Sequence, residues 1–152
     1  MSIVIVDIDG TIAHKNDRNA FHYHLVAEDT PNRPVIAVVE ALAAAGHRIV
    51  FFSGRENVSY ETNKEYAHHG LTGSSHDATV AWIEQHVDVG EVELYMRPEG
   101  NHDKDAIVKR QMFEANWVGE DILCAIDDRD QVVRMWRDEL GLTCLQVADG
   151  NF

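Results

Sequence analysis

Long apolar runs are missing from this 152-residue chain. None approaches the ~20 residues that cross a bilayer as a helix, which excludes a helical membrane span. Asp7 and Asp9 follow the first apolar segment too closely for a signal peptide, and the expected compartment is the cytoplasm. Cysteine is scarce. Cys124 and Cys144 lie inside apolar runs, which excludes a secreted disulfide framework and predicts buried free thiols. Basic residues are outnumbered, thirteen against twenty-six acidic ones, for a net charge of −13. A coat around a long duplex or an anionic membrane surface needs a broad cationic face, so both are excluded. A small phosphate-bearing ligand in a local cationic pocket is not. There is no G-x-x-x-x-G-K-[ST] sequence, hence no P-loop for ATP. Repeats, low-complexity tracts and long linkers are also lacking. With 45% hydrophobic and 26% charged residues, the composition is that of a folded domain and not a disordered chain.

What remains is an alternation of apolar strands and helical patterns. Residues 2–6 (SIVIV) are β-branched and apolar throughout, the signature of a strand buried on both faces. Pro34 opens a helical pattern that Gly46 closes. Residues 48–52 (RIVFF) predict a second buried strand, 92–96 a third, 121–126 a fourth and 143–147 a fifth. Helical patterns cover 56–69, 77–87, 103–117 and 129–140, with Gly70, Gly73 and the Ser74-Ser75 pair breaking the first two apart. Strands spaced by helices predict an α/β fold: a doubly wound, mostly parallel five-stranded sheet. One domain over 1–152 is expected, with a helical insertion at about 56–90 and only a minimal cap.

In such sheets ligands bind beyond the carboxyl ends of the strands, and those ends are polar here. The first gives Asp7-Ile8-Asp9-Gly10-Thr11, the second Ser53-Gly54-Arg55, and the fourth Asp127-Asp128-Arg129. The third ends in Arg97, and the next helix carries Asp105 and Lys109 four residues apart on one face. Asp7, Asp9, Asp127 and Asp128 are expected within a few ångströms of one another. Four carboxylates cannot all stay ionised there without a cation, and a hard ion, Mg2+, meets the need. Ser53 and Lys109 beside them suggest a phosphoryl group.

The DxDGT, Ser, Lys and Asp-Asp motifs, in this order at strand ends, resemble the haloacid dehalogenase superfamily of phosphotransferases. The segments DIDGTIAHKNDR, IVFFSGRE, RPEGNHDKDAIVKRQMF, AIDDRDQVVRMW and LQVADGNF more closely resemble the 3′-phosphatase domain of bacteriophage-type polynucleotide kinase/phosphatase. That resemblance covers essentially the whole chain. It implies that Asp7 attacks phosphorus to form an aspartyl-phosphate and that Asp9 is the general acid and then the base. It implies Mg2+ held by Asp7, Asp127, Asp128 and the Asp9 carbonyl. Ser53 and Lys109 would hold phosphoryl oxygens, with Asp105 orienting Lys109. Thr11, Gly54 and Arg55 fall at the reacting phosphate, and Arg18 on the substrate backbone. Arg97 and Arg129 either bind substrate or brace the acidic pairs.

The implied substrate is the 3′-phosphorylated end of a DNA or RNA strand. A separate kinase or ligase of a repair pathway is the implied partner, and a phage-encoded protein in host cytoplasm the implied setting. The kinase activity does not transfer, because the P-loop is absent. The competing readings are a small-molecule or nucleotide monophosphatase with the same chemistry, and a silent binding domain that the Asp7/Asp9 pair disfavours. His22-x-His24 and His68-His69 lack the spacing of a zinc site and are expected exposed, and Trp82, Trp117 and Trp136 fall on core-facing stripes.

Overall fold

A computed structural model describes residues 2–152. The four-residue strand β1 (Ile3–Val6) is buried along its whole length and lies at the centre of a parallel sheet. Its neighbours are β4 (Arg48–Glu56) on one side and β6 (Ile122–Asp127) on the other. The edges are β5 (Leu94–Arg97), beside β4, and β7 (Cys144–Gln146), beside β6. Alternation along β1 decides which layer each side chain meets. Val4 and Val6, with Phe51 and Ile126, pack under Ile36 and Val39 of α1 (Arg33–Ala44) and Trp82 and Ile83 of α2 (Ser75–His86). Ile3 and Ile5, with Val50, Phe52 and Ala125, pack against α3 (Asp105–Asn116), α4 (Asp130–Arg134) and the turn after it through Phe113, Val132, Val133 and Trp136. The sheet is thus covered on both faces, as its unbroken apolar strands require. The three tryptophans are core, and Cys124 and Cys144 are buried free thiols.

Two elements depart from the sequence expectation. The second strand continues to Glu56, and the helix expected over 56–69 does not form; among the described residues this stretch holds only a short 3-10 turn at Ala67–His69. Side chains there bond the local backbone instead. Ser59 Oγ accepts from Thr62 N, and Asn63 Oδ1 accepts from Glu65 N at 3.0 Å, competing with helical bonding. Two tyrosines fix the segment to a second excursion, which runs from β2 (Ala13–His14) to its antiparallel partner β3 (Thr30–Pro31). Tyr60 donates to Tyr23 O at 2.7 Å and Tyr66 to Phe21 O at 2.6 Å. Between the two excursions Tyr23, Val26, Val58, Tyr60 and Tyr66 form a small separate apolar cluster. The last helix also changes character, since after α4 the turns from Met135 to Glu139 are wound as π-helix. That segment sets Trp136 beside the end of β6.

The chain leaves β1 to build β4 on one side and later β6 on the other. The crevice at such a reversal lies at the carboxyl end of the central strand, where Asp7 stands.

Candidate active site

β1 ends at Val6, and the next turn is shaped by Gly10, whose φ of +80° excludes most side chains. A Cβ there would also meet Asp128 Oδ2 at 2.2 Å. The glycine therefore lets the first acidic loop close onto the last. Asp7, Asp127 and Asp128 are buried, and each offers an oxygen within 4.8 Å of the others'. Lys109, fully buried on α3, enters this group from beneath. Its ammonium lies 2.7 Å from Asp7 Oδ1, 2.9 Å from Asp127 Oδ2 and 3.8 Å from Asp105 Oδ2. Thr11 donates its hydroxyl to Asp7 Oδ2 at 2.8 Å. Asp127 also accepts from the Asp128 amide at 2.9 Å and from the Trp136 indole at 3.4 Å.

One ammonium cannot neutralise four carboxylates. Burial and the neighbouring Asp127 push the Asp7 carboxyl well above its usual range, with Lys109 only partly opposing them. Asp128 is raised for the same first two reasons. Lys109 loses by burial but gains more from Asp105, Asp127 and Asp7, and stays firmly protonated. The remaining negative charge and the all-oxygen donor set suit a hard divalent cation such as Mg2+; Asp7, Asp127 and Asp128 are the residues that fit it.

Asp9 is not part of this cluster. The expected group of four is a group of three, because the Asp9 side chain turns to the arginines. Arg55 holds it with two bonds, Nε to Oδ2 at 2.9 Å and Nη2 to Oδ1 at 2.8 Å, and Arg18 approaches at 3.4 Å. Burial raises the Asp9 pKa, but Arg55 and Arg18 outweigh it and hold the carboxyl below its usual range. Behind the arginines lies Asp29, which the sequence reading overlooked. It is 4% exposed and accepts from Arg18 Nε at 2.8 Å and from Arg55 Nη2 at 2.7 Å. No linear motif marks it. Only its burial beside two guanidiniums does.

Counting donors sorts the four arginines. Arg18 uses all five, on Asp29, Asp9 and the carbonyls of Asn19 and Ala20. All of its donors are engaged within the protein, where it braces Asp9. Arg55 keeps one Nη1 hydrogen after bonding Thr79. Arg97 donates to the Gly54, Asn101 and Asp103 carbonyls and keeps its Nη2 free of hydrogen bonds, 3.8 Å from Asp105. Arg129 donates Nε to Phe152 O at 2.8 Å, and its Nη1 lies 3.8 Å from Asp105. Ser53 is buried and accepts the Arg55 amide at 3.1 Å. Gly54 gives Asp105 its room, since a Cβ there would stand 2.1 Å from Asp105 Oδ1.

Asp7, Asp9, Gly54, Arg55, Asp105 and Asp128 open into one cleft of about 1400 Å3, while Ser53 and Lys109 do not line it. Its walls carry Lys15, Arg18, Arg55, Arg97, Lys104 and Arg129, six of the chain's thirteen cations, but only seven of its twenty-six acids. The cleft is therefore close to neutral on an otherwise strongly acidic molecule. Phe21 and Tyr66 line its mouth, and Phe21 is 71% exposed. His22 and His24, on the loop beside the mouth, do not line the cleft; His14 and His102 do.

Comparison with known proteins agrees with this geometry. A family model described as the polynucleotide kinase PNKP phosphatase domain matches residues 1–152. A protein of Autographa californica nuclear polyhedrosis virus, described as a putative bifunctional polynucleotide kinase/RNA ligase, is 31% identical over 138 residues; these are 89% of this chain and 18% of that one. A chain of a Pnkp1/Rnl/Hen1 complex superposes with a TM-score of 0.78 at 30% identity, over 99% of this chain and 47% of that one. A D,D-heptose 1,7-bisphosphate phosphatase from B. bronchiseptica, solved with magnesium and phosphate, shares the fold at a TM-score of 0.55 and 16% identity, over 96% of this chain and 79% of that one. The chain thus spans about a fifth of the viral relative and under half of the repair-complex chain.

Proposed function

Because the chain belongs to the family of polynucleotide kinase PNKP phosphatase domains, with a haloacid dehalogenase-like fold, we propose that it is a Mg2+-dependent phosphatase that removes the 3′-phosphate from a DNA or RNA strand end. One observation carries the reading: Asp7 is fixed by Thr11 and Lys109 in a cleft whose six cations nearly balance its seven acids, on an otherwise acidic molecule.

The chemistry follows from where each group stands. Asp7 attacks phosphorus and forms an aspartyl-phosphate, dividing a difficult hydrolysis into two steps. The bond to the departing 3′-oxygen breaks as that oxygen takes a proton from Asp9. At rest Asp9 is ionised between Arg55 and Arg18. An arriving phosphate sets a second negative charge beside it and draws on the same guanidinium, so Asp9 takes up the proton it will donate. After the transfer Asp9 is again a carboxylate and removes a proton from the water that cleaves the acyl phosphate. Asp7, Asp127 and Asp128 would hold Mg2+, with the Asp9 carbonyl as a further oxygen donor, and the ion would supply charge neutralisation for the carboxylates and the phosphoryl group. Lys109 keeps Asp7 in place, and Asp105 sets Lys109. The spare donors of Arg55 and Arg97 face the phosphate oxygens from β4 and β5. Ser53, at the end of the β4 core, supplies a hydroxyl.

The two excursions beside the cleft are short and bonded to each other through Tyr60 and Tyr66, and so small a cap supports a site that admits a polymer end. The six lining cations suit a terminal phosphate and the nucleotide or two behind it, and the −13 net charge disfavours duplex interior. The relatives' association with a polynucleotide kinase, an RNA ligase and an RNA repair complex supports a kinase or ligase as partner, ligation being the step that consumes the freed 3′-hydroxyl. Among the described residues no helix is long and apolar enough to cross a membrane; action in the cytoplasm of a phage-infected host belongs to the same reading.

The test is phosphate release from 3′-phosphorylated DNA and RNA oligonucleotides, their 5′-phosphorylated counterparts and free mononucleotides, each with and without Mg2+. The 3′-phosphorylated oligonucleotides are expected to turn over fastest, and only with the metal. Equal or faster turnover of mononucleotides would replace this reading with a small-molecule phosphatase.

A further inference from the structure

We propose that Phe152, mounted on Arg129, is a base-stacking platform that selects for a nucleobase within the last two nucleotides of the strand end; this rests on the strand-end reading above. The aromatic ring of Phe152 lies 67% exposed at the wall of the cleft. Its placement is nevertheless tightly built. Strand β7 runs beside β6, and the chain then crosses the acidic loop. Val147 N donates to Asp127 O at 3.1 Å, Gln146 Nε2 to Asp128 O at 3.0 Å, and Asp130 N to Gly150 O at 2.9 Å. At Gly150 the chain lies so close that a Cβ would meet Asp128 O at 2.0 Å. Two residues later Arg129 donates to the Phe152 main-chain oxygen and lays its guanidinium 5.1 Å from the ring centre.

One face of the ring is therefore occupied by a cation and the rest is open to the cleft. The same chain segment that supports Asp127 and Asp128 fixes the ring's distance from them. A base on the open face completes a guanidinium–ring–base stack, in which the cation strengthens the contact and every base has a face to offer. Arg129 joins the two ends of the device, since its Nη1 approaches Asp105 while its plane carries the ring.

The test uses Phe152→Ala and Phe152→Trp on 3′-phosphorylated oligonucleotides that carry normal bases, or a single abasic residue at the last or next-to-last position. On normal strands Phe152→Ala is expected to raise KM about tenfold with little change in kcat, and Phe152→Trp to restore it. On the strand lacking the stacked base the two variants and the wild type should agree within about twofold. Equal losses on normal and abasic strands, or no loss on either, would overturn the proposal. Binding gives a second readout. In an Asp7→Asn background, the fluorescence that Phe152→Trp adds to that of the buried tryptophans should be quenched by a normal oligonucleotide and not by the matching abasic one. Equal quenching by both also overturns the proposal. Failure of the strand-end reading is seen separately, as wild-type enzyme that prefers mononucleotides.

Discussion

Gly54→Ala adds one methyl group where the structure has no space for it. The new Cβ would stand 2.1 Å from Asp105 Oδ1 and 2.8 Å from its Cγ, so the carboxylate oxygen must retreat by at least about 1.3 Å to reach ordinary contact distance. Asp105 Oδ1 is buried without a hydrogen-bond partner, and a short side chain can turn away from a clash. The cost in stability is therefore expected to be about 1 kcal/mol or less. The cost in function is not small. Asp105 Oδ2 lies 3.8 Å from both Lys109 and Arg129, and Lys109 fixes Asp7. A 1 Å error passed to a nucleophile can cost about 100-fold in rate. Gly150→Ala is the contrast. Its Cβ would stand 2.0 Å from the Asp128 main-chain oxygen and 2.7 Å from Arg129 Cα, atoms that cannot rotate away. An overpacking cost of roughly 2–3 kcal/mol is expected there, a fall in Tm of roughly 5–10 °C for a chain of this size. The assay is thermal melting beside phosphate release at saturating Mg2+. A Gly54→Ala protein that keeps wild-type turnover would refute the link from Asp105 through Lys109 to Asp7. One that melts as early as Gly150→Ala would show that the clash falls on the backbone.

Other outcomes follow from the buried charges. Burial raises Asp7 and Asp128, so without metal the folded state retains protons that the unfolded chain releases, and stability falls as pH rises above the ordinary carboxylate value of 3.8. Mg2+ binds the ionised form, so the rise in Tm that it produces should grow between pH 5 and pH 7, to be read by melting with and without chelator; a constant increment would contradict the three-carboxylate site. Lys109→Met leaves two buried carboxylates unpaired and should cost roughly 3–5 kcal/mol in metal-free urea unfolding at neutral pH, and less at pH 5; wild-type stability would mean the pairing contributes nothing. Arg18→Ala should reduce turnover of oligonucleotide and aryl phosphate by similar factors, because its donors are spent inside the protein. A loss confined to oligonucleotides would restore a contact with the nucleic-acid backbone. Asp29→Asn should lower kcat on both substrates by freeing Arg18 and Arg55 together, and a change in KM alone would argue against that bracing role.

Much of this was readable from residue order alone. Strand β1 is four apolar β-branched residues followed at once by acids, and that contrast placed Asp7 at a strand end without any structure. Glycine and proline punctuation located α1. The 56–69 stretch misled because its polar spacing suits a helix while Ser59 and Asn63 bind their own backbone, a choice that pattern does not record. Arg18 and Asp9 were visible as residues but not as partners. Which side a carboxylate turns to depends on Asp29, which reaches them only once β2 and β3 pair. Phe152 has no periodicity to betray it, and its position follows from the close pass of Gly150 over Asp128.

The central claim is that Asp7 takes the phosphoryl group before water does. An aryl phosphate has a leaving group that departs without an acid, so Asp9→Asn should still allow the first step while slowing the second. Rapid mixing of this variant with an aryl phosphate and Mg2+ is expected to release a burst of aryl alcohol equal to the enzyme concentration, followed by slow turnover, with no burst when Asp7→Asn is added. Slow release from the start, with no burst under any condition, would contradict a phosphorylated Asp7.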